Sequence, residues 1–278
     1  MIHGYNDNLY ISLTKPGYNH MKMRFLSFLF LFGSVAAQAR TPERNGKEDQ
    51  KVIYFFSGLG ADSIPFTNLK LPGYRKVYIN WIPPLPDESL KDYASRIKDQ
   101  ICNEKPYIIG LSFGGVLAVE VSKQVEIGKM ILISSARTRN DLNHIQNFFM
   151  RLGLYRIIPG TMVKHTNFLT HLYFGARTER DKKALMRLLQ GTDITLFRWG
   201  LKSIAQWDNT EPPPRTIQVH GTADRVIAYR RIAHPDFSIP GGGHLMVLNK
   251  ADTISRIITG YFNGSIKARD QADTASTK

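Results

Sequence analysis

One serine of the chain lies in a glycine-flanked pentapeptide, Gly110-Leu111-Ser112-Phe113-Gly114, which has the form G-x-S-x-G. A serine hydroxyl is a weak nucleophile unless a neighbouring base takes its proton. Glycine at both flanking positions allows a very tight strand-to-helix turn, which would lift the hydroxyl of Ser112 clear of a sheet edge. The pentapeptide therefore predicts a nucleophilic serine, although a glycine-rich turn without chemistry would show the same residues.

Two other loops could supply the base and the acid that such a serine needs. Asp224 ends the segment His220-Gly221-Thr222-Ala223-Asp224, which follows a predicted strand, and His244 follows three glycines after another predicted strand. An imidazole would take the proton of Ser112, and the carboxylate would orient the imidazole and stabilise its charged form. The glycines would let the backbone bring His244 close to the serine. We therefore predict a catalytic triad of Ser112, His244 and Asp224.

Other titratable residues leave alternatives for these roles. Asp62 and Asp87 are alternative acids, whereas His220 is expected to fix the acid loop rather than to act as the base. Cys102 ends an amphipathic stretch, and we expect a packed thiol rather than a nucleophile. The other histidines lack metal-ligand spacing with carboxylates or cysteines, so we expect structural roles and no metal site for His144, His165, His171 and His234.

Alternating strands and helices must position these loops. From residue 51, short apolar runs alternate with helical periods, which is typical of a mostly parallel sheet. The predicted strands are Val52–Phe56, Lys76–Trp81, Pro106–Ile109, Lys129–Ile133, Thr216–Val219 and Asp236–Ile239. The predicted helices are residues 87–101, with Asp87 as cap, 113–124 and 250–262. Ligands bind open α/β sheets at the carboxyl ends of their strands, so Ser112, Asp224 and His244 are expected to meet there.

Residues 139–210 interrupt this alternation with a helical pattern that contains no predicted strand. Apolar residues recur at helical spacing along the segment, and Thr178 with Asp181 predicts a capping box. We predict a helical cap inserted after the fourth strand, on a core formed by residues 51–138 and 211–264.

Both ends of the chain are predicted to lie outside this core. Residues 21–39 have the form of a signal peptide, with basic residues, an apolar run and a small-x-small cleavage site. The protein would then be periplasmic or extracellular; the alternative is a cytoplasmic protein with an N-terminal hydrophobic helix. The polar extension at residues 1–20 is unusual ahead of a secretion signal, which suggests that translation starts at Met21 or Met23. A disordered tail is expected at residues 265–278.

Composition limits the class of protein. The 278 residues, 42% hydrophobic and 22% charged, allow one substantial globular domain, and a single cysteine excludes an intramolecular disulfide. The net charge of +14 would favour attraction to anionic surfaces, and residues 139–210 carry 11 Lys or Arg against 5 Asp or Glu. No nucleic-acid-binding motif accompanies this charge, so we predict a small-molecule substrate and no nucleic acid. The sequence leaves the oligomeric state open.

Three motifs together make residues 51 to about 264 resemble the α/β-hydrolase superfamily: GLSFG as nucleophile elbow, HGTAD as acid loop and GGGH as histidine loop. The resemblance implies a mostly parallel sheet with helices on both faces. The segment before Val52 is too short for the usual first hairpin, so about six strands are expected. The resemblance also implies that Ser57-Gly58-Leu59-Gly60 is the oxyanion loop, with the backbone N–H groups of Leu59 and Phe113 as donors. Many members have histidine where Ser57 stands.

The leading hypothesis for function is hydrolysis of a carboxylic ester or related acyl compound through an acyl-enzyme, without a metal or organic cofactor. Alternatives on the same scaffold are acyl transfer, carbon–carbon bond cleavage, a lyase reaction, cofactor-free oxygen chemistry, and a non-catalytic binding protein. A substrate with an apolar acyl or alcohol group is suggested by aromatic residues of the insertion, although these could simply pack the cap: Phe148, Phe149, Phe168, Phe197 and Trp199.

Overall fold

Six parallel strands form one sheet in the computed structural model, which describes residues 51–142 and 151–268. The strands are β1 (Lys51–Phe56), β2 (Tyr74–Tyr78), β3 (Tyr107–Leu111), β4 (Lys129–Ile133), β5 (Thr216–Gly221) and β6 (Phe237–Ile239). Their order across the sheet is β2-β1-β3-β4-β5-β6, and every neighbouring pair is parallel. All six predicted strands are present, but β2 begins and ends earlier than predicted.

Helices connect these strands. Those described are α1 (Leu90–Ile97), α2 (Phe113–Ser122), α3 (Gly160–Lys164), α4 (Phe168–Phe174), α5 (Glu179–Gln190), α6 (Ile194–Gln206), α7 (Met246–Asn249) and α8 (Ala251–Asn263). Helices α3 to α6 lie between β4 and β5, where the described residues contain no strand. The capping box predicted at the start of α5 is present, because Thr178 and Asp181 bond each other's backbone N–H groups. The described part of this insertion is therefore helical.

Both faces of the sheet are buried, which explains why its strands are continuous apolar runs. Tyr54 and Ile108 point to one face, where they pack with residues of α1 and α2. Ile53 and Ile109 point to the other face, where they pack with residues of α8. The predicted α/β class, with helices on both faces of a parallel sheet, is confirmed.

Two local predictions were wrong. Ser89 rather than Asp87 caps α1, because the Ser89 hydroxyl accepts the N–H of Asp92 at 3.1 Å, while Asp87 lies outside the helix and pairs with Lys202. Cys102 is exposed rather than packed, because Ile101 is the last residue of this segment that packs against the core.

Several predicted features lie outside the described residues: the extension at 1–20, the signal peptide at 21–39, His144, Phe148, Phe149 and most of the tail at 265–278. In the described part of the chain, every helix is too short or too polar to span a bilayer.

Candidate active site

The serine loop forms a strained turn between β3 and α2. Ser112 has a φ of 53° and a ψ of −127°, a backbone conformation that residues with a side chain rarely adopt. A Cβ on Gly110 would lie 2.4 Å from the Cα of Gly115, and one on Gly114 would lie 2.1 Å from the carbonyl oxygen of Ser57. Both glycines of the pentapeptide are therefore required, because any larger residue would push α2 away from β3 or from the loop after β1.

A buried hydroxyl from the loop after the neighbouring strand holds this turn. Ser135, two residues beyond the end of β4, donates its hydroxyl to the carbonyl oxygen of Ser112 at 2.6 Å. A Cβ on Gly115 would lie 2.2 Å from the same hydroxyl oxygen, so glycine is needed there as well. Sequence reasoning missed Ser135, since no local pattern indicates a contact 23 residues away.

The acid loop follows β5 and buries the carboxylate of Asp224. Its Oδ1 accepts the backbone N–H groups of Val226 and Ile227 at 2.9 and 3.1 Å, and its Oδ2 lies 2.9 Å from Nδ1 of His244. Burial acts to raise the pKa of Asp224, but the charge and hydrogen bond of His244, together with the contributions of His220 and Ile227, leave that pKa below its ordinary value. The carboxylate therefore stays ionised at neutral pH.

The histidine loop follows β6 and completes the connection to the serine. Nε2 of His244 lies 2.9 Å from Oγ of Ser112, while Nδ1 of the same ring faces Asp224. A Cβ on Gly221 would lie 2.2 Å from the carbonyl oxygen of Gly242, so the acid and histidine loops approach each other through backbone alone. The three predicted residues thus form one continuous chain of hydrogen bonds.

A second histidine, His220, is fully buried beneath the acid loop. Its Nε2 lies 2.8 Å from the carbonyl oxygen of Ile227 and 3.4 Å from Oδ2 of Asp224. Burial lowers the pKa of His220, an effect that the charge of Asp224 only partly offsets, so the ring is neutral. In that state Nε2–H donates to Ile227, which fixes the turn whose amides bind Asp224, in agreement with the predicted loop-fixing role.

The predicted oxyanion loop lies beside the serine. A Cβ on Gly58 would lie 3.8 Å from Cβ of Ser112, so this loop lies within contact distance of that serine. Among the described residues, the backbone N–H groups of Leu59 and Phe113 donate to no other group. Phe113 is the first residue of α2, where the amide N–H groups of a helix lack intrahelical partners. These two amides remain available to an oxygen near Ser112.

Side-chain hydrogen bonds close the turn of the predicted oxyanion loop. The Ser57 hydroxyl donates to the carbonyl oxygen of Ala61, and the indole N–H of Trp81 reaches Ser57 Oγ at 3.2 Å and the Ala61 oxygen at 3.1 Å. The Trp81 ring also stacks on Phe113 at 5.7 Å between centroids. Ser57 and Trp81 therefore stabilise this loop, and sequence reasoning did not identify Trp81.

The helical insertion contacts the histidine loop directly. Phe174, the last residue of α4, packs its ring edge-on against His244 at 5.7 Å and accepts the backbone N–H of Leu245 at 3.2 Å. Gly175 has a φ of 71°, and a Cβ there would lie 2.8 Å from the Cα of Gly243. The insertion therefore helps to hold the imidazole in place.

The alternatives raised by the sequence lie elsewhere. Asp62 bonds the backbone N–H of Ile64 in the loop after β1, and Asp87 pairs with Lys202. The pair formed by Asp224 and His244 excludes both as the acid of this arrangement. Across residues 51–142 and 151–268, no three His, Cys, Asp or Glu side chains are grouped so that they could hold a metal ion.

Comparisons with known proteins identify the family of the fold. Residues 51–256 match the family model described as "Alpha/beta hydrolase family". No curated protein matches the sequence.

Solved structures resemble the fold at low identity. An enol-lactonase from Burkholderia xenovorans has a TM-score of 0.62 at 15% identity, over 80% of this chain and 94% of its own. MenH from S. aureus has 0.61 at 16%, over 79% and 96%. An esterase from Exiguobacterium antarcticum has 0.60 at 16%, over 77% and 92%. At these identities the likeness supports the fold alone.

Proposed function

We propose that the chain, which belongs to the alpha/beta hydrolase family, hydrolyses a carboxylic ester or related acyl compound through a covalent acyl-enzyme on Ser112. The observation that carries the proposal is the unbroken hydrogen-bond chain from Asp224 through His244 to Ser112, with 2.9 Å at each link. This arrangement converts an ordinary alcohol into a nucleophile at neutral pH.

In the first half-reaction, Nε2 of His244 takes the hydroxyl proton as Oγ of Ser112 bonds to the carbonyl carbon. The carbonyl π electrons move to oxygen, and the amides of Leu59 and Phe113 are the donors that would stabilise this oxyanion. When the carbonyl reforms, the bond to the alkoxy oxygen breaks and Nε2 gives its proton to the leaving alcohol. The acyl group remains as an ester on Ser112.

In the second half-reaction, a water molecule replaces the alcohol. His244 takes a proton from the water as its oxygen attacks the acyl carbon, and it returns that proton to Oγ of Ser112 when the acyl–serine bond breaks. A carboxylic acid is released and the free serine is restored. Throughout, Asp224 holds Nδ1–H of the imidazole and stabilises its positive charge.

We further propose an apolar substrate group, because the side chains that pack beside the serine are apolar. Phe113, the residue after Ser112, stacks on Trp81 and meets the edge of Trp199 from α6 at 5.9 Å. The side chain of Leu59 packs against Gly200 of α6, where a Cβ would lie 2.3 Å from it. The names of two structural neighbours, an esterase and an enol-lactonase, are consistent with acyl C–O cleavage.

A fluorophosphonate probe and a panel of p-nitrophenyl esters of increasing acyl length test this function. We expect covalent labelling and ester turnover by the native chain, with both lost in Ser112→Ala. Ser122→Ala, at the other end of α2, is the matched control and should behave as the native chain. Labelling without turnover of any ester would replace hydrolysis by another reaction of the same triad, such as acyl transfer or carbon–carbon cleavage. The absence of labelling would favour a binding protein.

We also propose that the protein is exported, on the basis of the signal-peptide pattern at residues 21–39. N-terminal sequencing of the native protein should find a mature chain that begins just after Ala39. A chain that begins near residue 1 would contradict export.

A further inference from the structure

Exposed apolar side chains are concentrated on one part of the helical insertion. Ten large hydrophobic side chains are exposed among the described residues, and eight of them lie between residues 152 and 173. Scattered exposed apolar residues are normal in soluble proteins, but a cluster usually marks a binding surface. We call the following six residues the insertion face: Leu152, Ile157, Met162, Phe168, Leu169 and Leu172.

The centre of the insertion face is an ordered helix. Phe168, Leu169 and Leu172 occupy one side of α4 and are 76%, 69% and 45% exposed. The helix begins at a capped residue, since Asn167 accepts the N–H of Thr170, and its last residue is bonded to the histidine loop. Because both ends of α4 are fixed, its apolar side is held outward rather than left to fold inward.

Positive charge accompanies this face. Residues 151–190 contain eight Lys or Arg and only two Asp or Glu. One of those acids, Asp181, is buried and caps α5, so it does not offset the surface charge. An apolar face with a cationic margin would repel a second copy of itself, whereas it matches a bilayer that carries anionic headgroups.

A cationic cavity lies at the edge of the insertion face. The cavity has a volume of about 520 Å³, and Phe168 and Leu172 line it together with Arg177, Arg225 and Lys182. Lys182 also pairs with Glu179 at 2.7 Å, so Arg177 and Arg225 are the main cations of the cavity. Its wall also includes Ala223 and Gly243, the residues that precede Asp224 and His244. A bilayer seated on α4 would therefore place its headgroups against cations and next to the loops of the active site.

We propose that the insertion face docks on the surface of a lipid bilayer containing anionic phospholipids, with α4 lying in the interface and the cationic cavity receiving headgroup phosphates. This inference goes beyond ester hydrolysis and does not depend on it, because docking uses residues outside the catalytic arrangement. It identifies the bilayer as the place where a lipid-like ester would be presented.

Co-sedimentation of the full chain with vesicles tests the docking. We expect binding to phosphatidylcholine vesicles with about 30% phosphatidylglycerol to be at least tenfold tighter than to phosphatidylcholine alone, and to weaken as salt is raised. Ser112→Ala should bind vesicles as the native chain does. Loss of esterase activity and loss of docking are therefore separate outcomes.

Substitutions separate the apolar and cationic contributions. A triple variant should bind anionic vesicles at least tenfold more weakly, because the interfacial helix loses its inserted side chains. It combines Phe168→Ser, Leu169→Ser and Leu172→Ser. The matched control is Leu85→Ser, which removes a comparably exposed leucine away from the insertion. Arg177→Gln should weaken binding about fivefold at low salt, whereas Lys91→Gln on α1 should not change it.

Three results would overturn the proposal. The first is equal binding to neutral and anionic vesicles. The second is full binding by the folded triple variant, because docking would then belong to a different segment, such as the apolar run near residues 25–37. The third is self-association of the native chain without vesicles that the triple variant abolishes, since the occupant of the face would then be a second copy. Thermal unfolding of each variant verifies its fold, and Leu169→Ser alone replaces the triple variant if that variant is unstable.

Discussion

Asp224→Asn isolates the electrostatic and tautomeric role of the buried acid. The substitution keeps the size of the side chain, and its carbonyl oxygen can still accept the amides of Val226 and Ile227, which bond Oδ1 at 2.9 and 3.1 Å. The amide NH₂ would then take the place of Oδ2, 2.9 Å from Nδ1 of His244 and 3.4 Å from Nε2 of His220. It would thus present a donor where the native protein presents an acceptor.

The expected consequence is the wrong tautomer of His244. Facing an NH₂ group, Nδ1 of His244 must act as acceptor, which moves the proton to Nε2 and leaves no lone pair there for the hydroxyl of Ser112. In a serine protease triad, replacing the aspartate by asparagine lowers kcat by about 10⁴, which corresponds to roughly 5.5 kcal/mol. We expect a loss of about 10³–10⁴ in kcat here, with KM changed little. Stability should fall by only about 1–3 kcal/mol, since the His220 contact also becomes unfavourable.

Steady-state hydrolysis of p-nitrophenyl acetate near pH 7.5 measures the effect. The matched controls are Asp62→Asn and Asp87→Asn, the two other acids that the sequence left open, and each should keep at least half of the native activity. Urea unfolding of the three variants shows that any loss is not a loss of fold.

A kcat for Asp224→Asn within tenfold of the native value would refute the reasoning, because the proton on the imidazole would then not depend on this carboxylate. An equal loss in Asp62→Asn would likewise show that the acid had been assigned wrongly. The pKa of Asp224 lies below its ordinary value, so its protonation should not limit activity above about pH 4.

Three further substitutions test the supports of the site. The pKa of His220 is lowered in the folded chain, so below about pH 6.5 the unfolded chain binds a proton that the folded chain does not, and the free energy of unfolding should fall with pH. His220→Gln should reduce this pH dependence by up to about 1.4 kcal/mol per pH unit. Urea unfolding at pH 7.5, 6.5 and 5.5 measures it. Gly175→Ala, with a Cβ 2.8 Å from the Cα of Gly243, should lower kcat about tenfold by displacing the histidine loop, and an unchanged kcat would argue against that contact. Ser135→Ala removes the bond to the Ser112 carbonyl and should cost about 1–2 kcal/mol in thermal unfolding, whereas a neutral result would show that the turn needs no support.

The main features of the site could be predicted from the sequence because they are local. Ser112, Asp224 and His244 each follow a strand within a glycine-containing loop, and parallel strands bring such loops to one edge. Glycine positions in particular indicate where backbone segments must approach closely, as at Gly110 and Gly114. Element boundaries shifted by a few residues, since local propensity constrains the ends of strands and helices weakly.

Residues that hold the site could not be predicted in the same way. Trp81, Ser135 and Phe174 reach the active-site loops from distant parts of the chain, and each lies in an ordinary local pattern. Their roles arise from tertiary contacts, which hydrophobic periodicity does not encode. Ser89 illustrates the same limit at shorter range, because either Asp87 or Ser89 could cap α1 and only the backbone conformation decides.

The aromatic residues of the insertion show why burial differs among positions that look alike in sequence. Trp199 and Phe168 both occur in amphipathic helical stretches, yet Trp199 is buried against Tyr93 and Phe113, while Phe168 is 76% exposed. The indole N–H of Trp199 also donates to the carbonyl oxygen of Glu88, which anchors α6 to the core. Through α6, the insertion packs against α1 and α2. The apolar side of α4, by contrast, is exposed among the described residues, and this exposure is the observation on which the docking proposal rests.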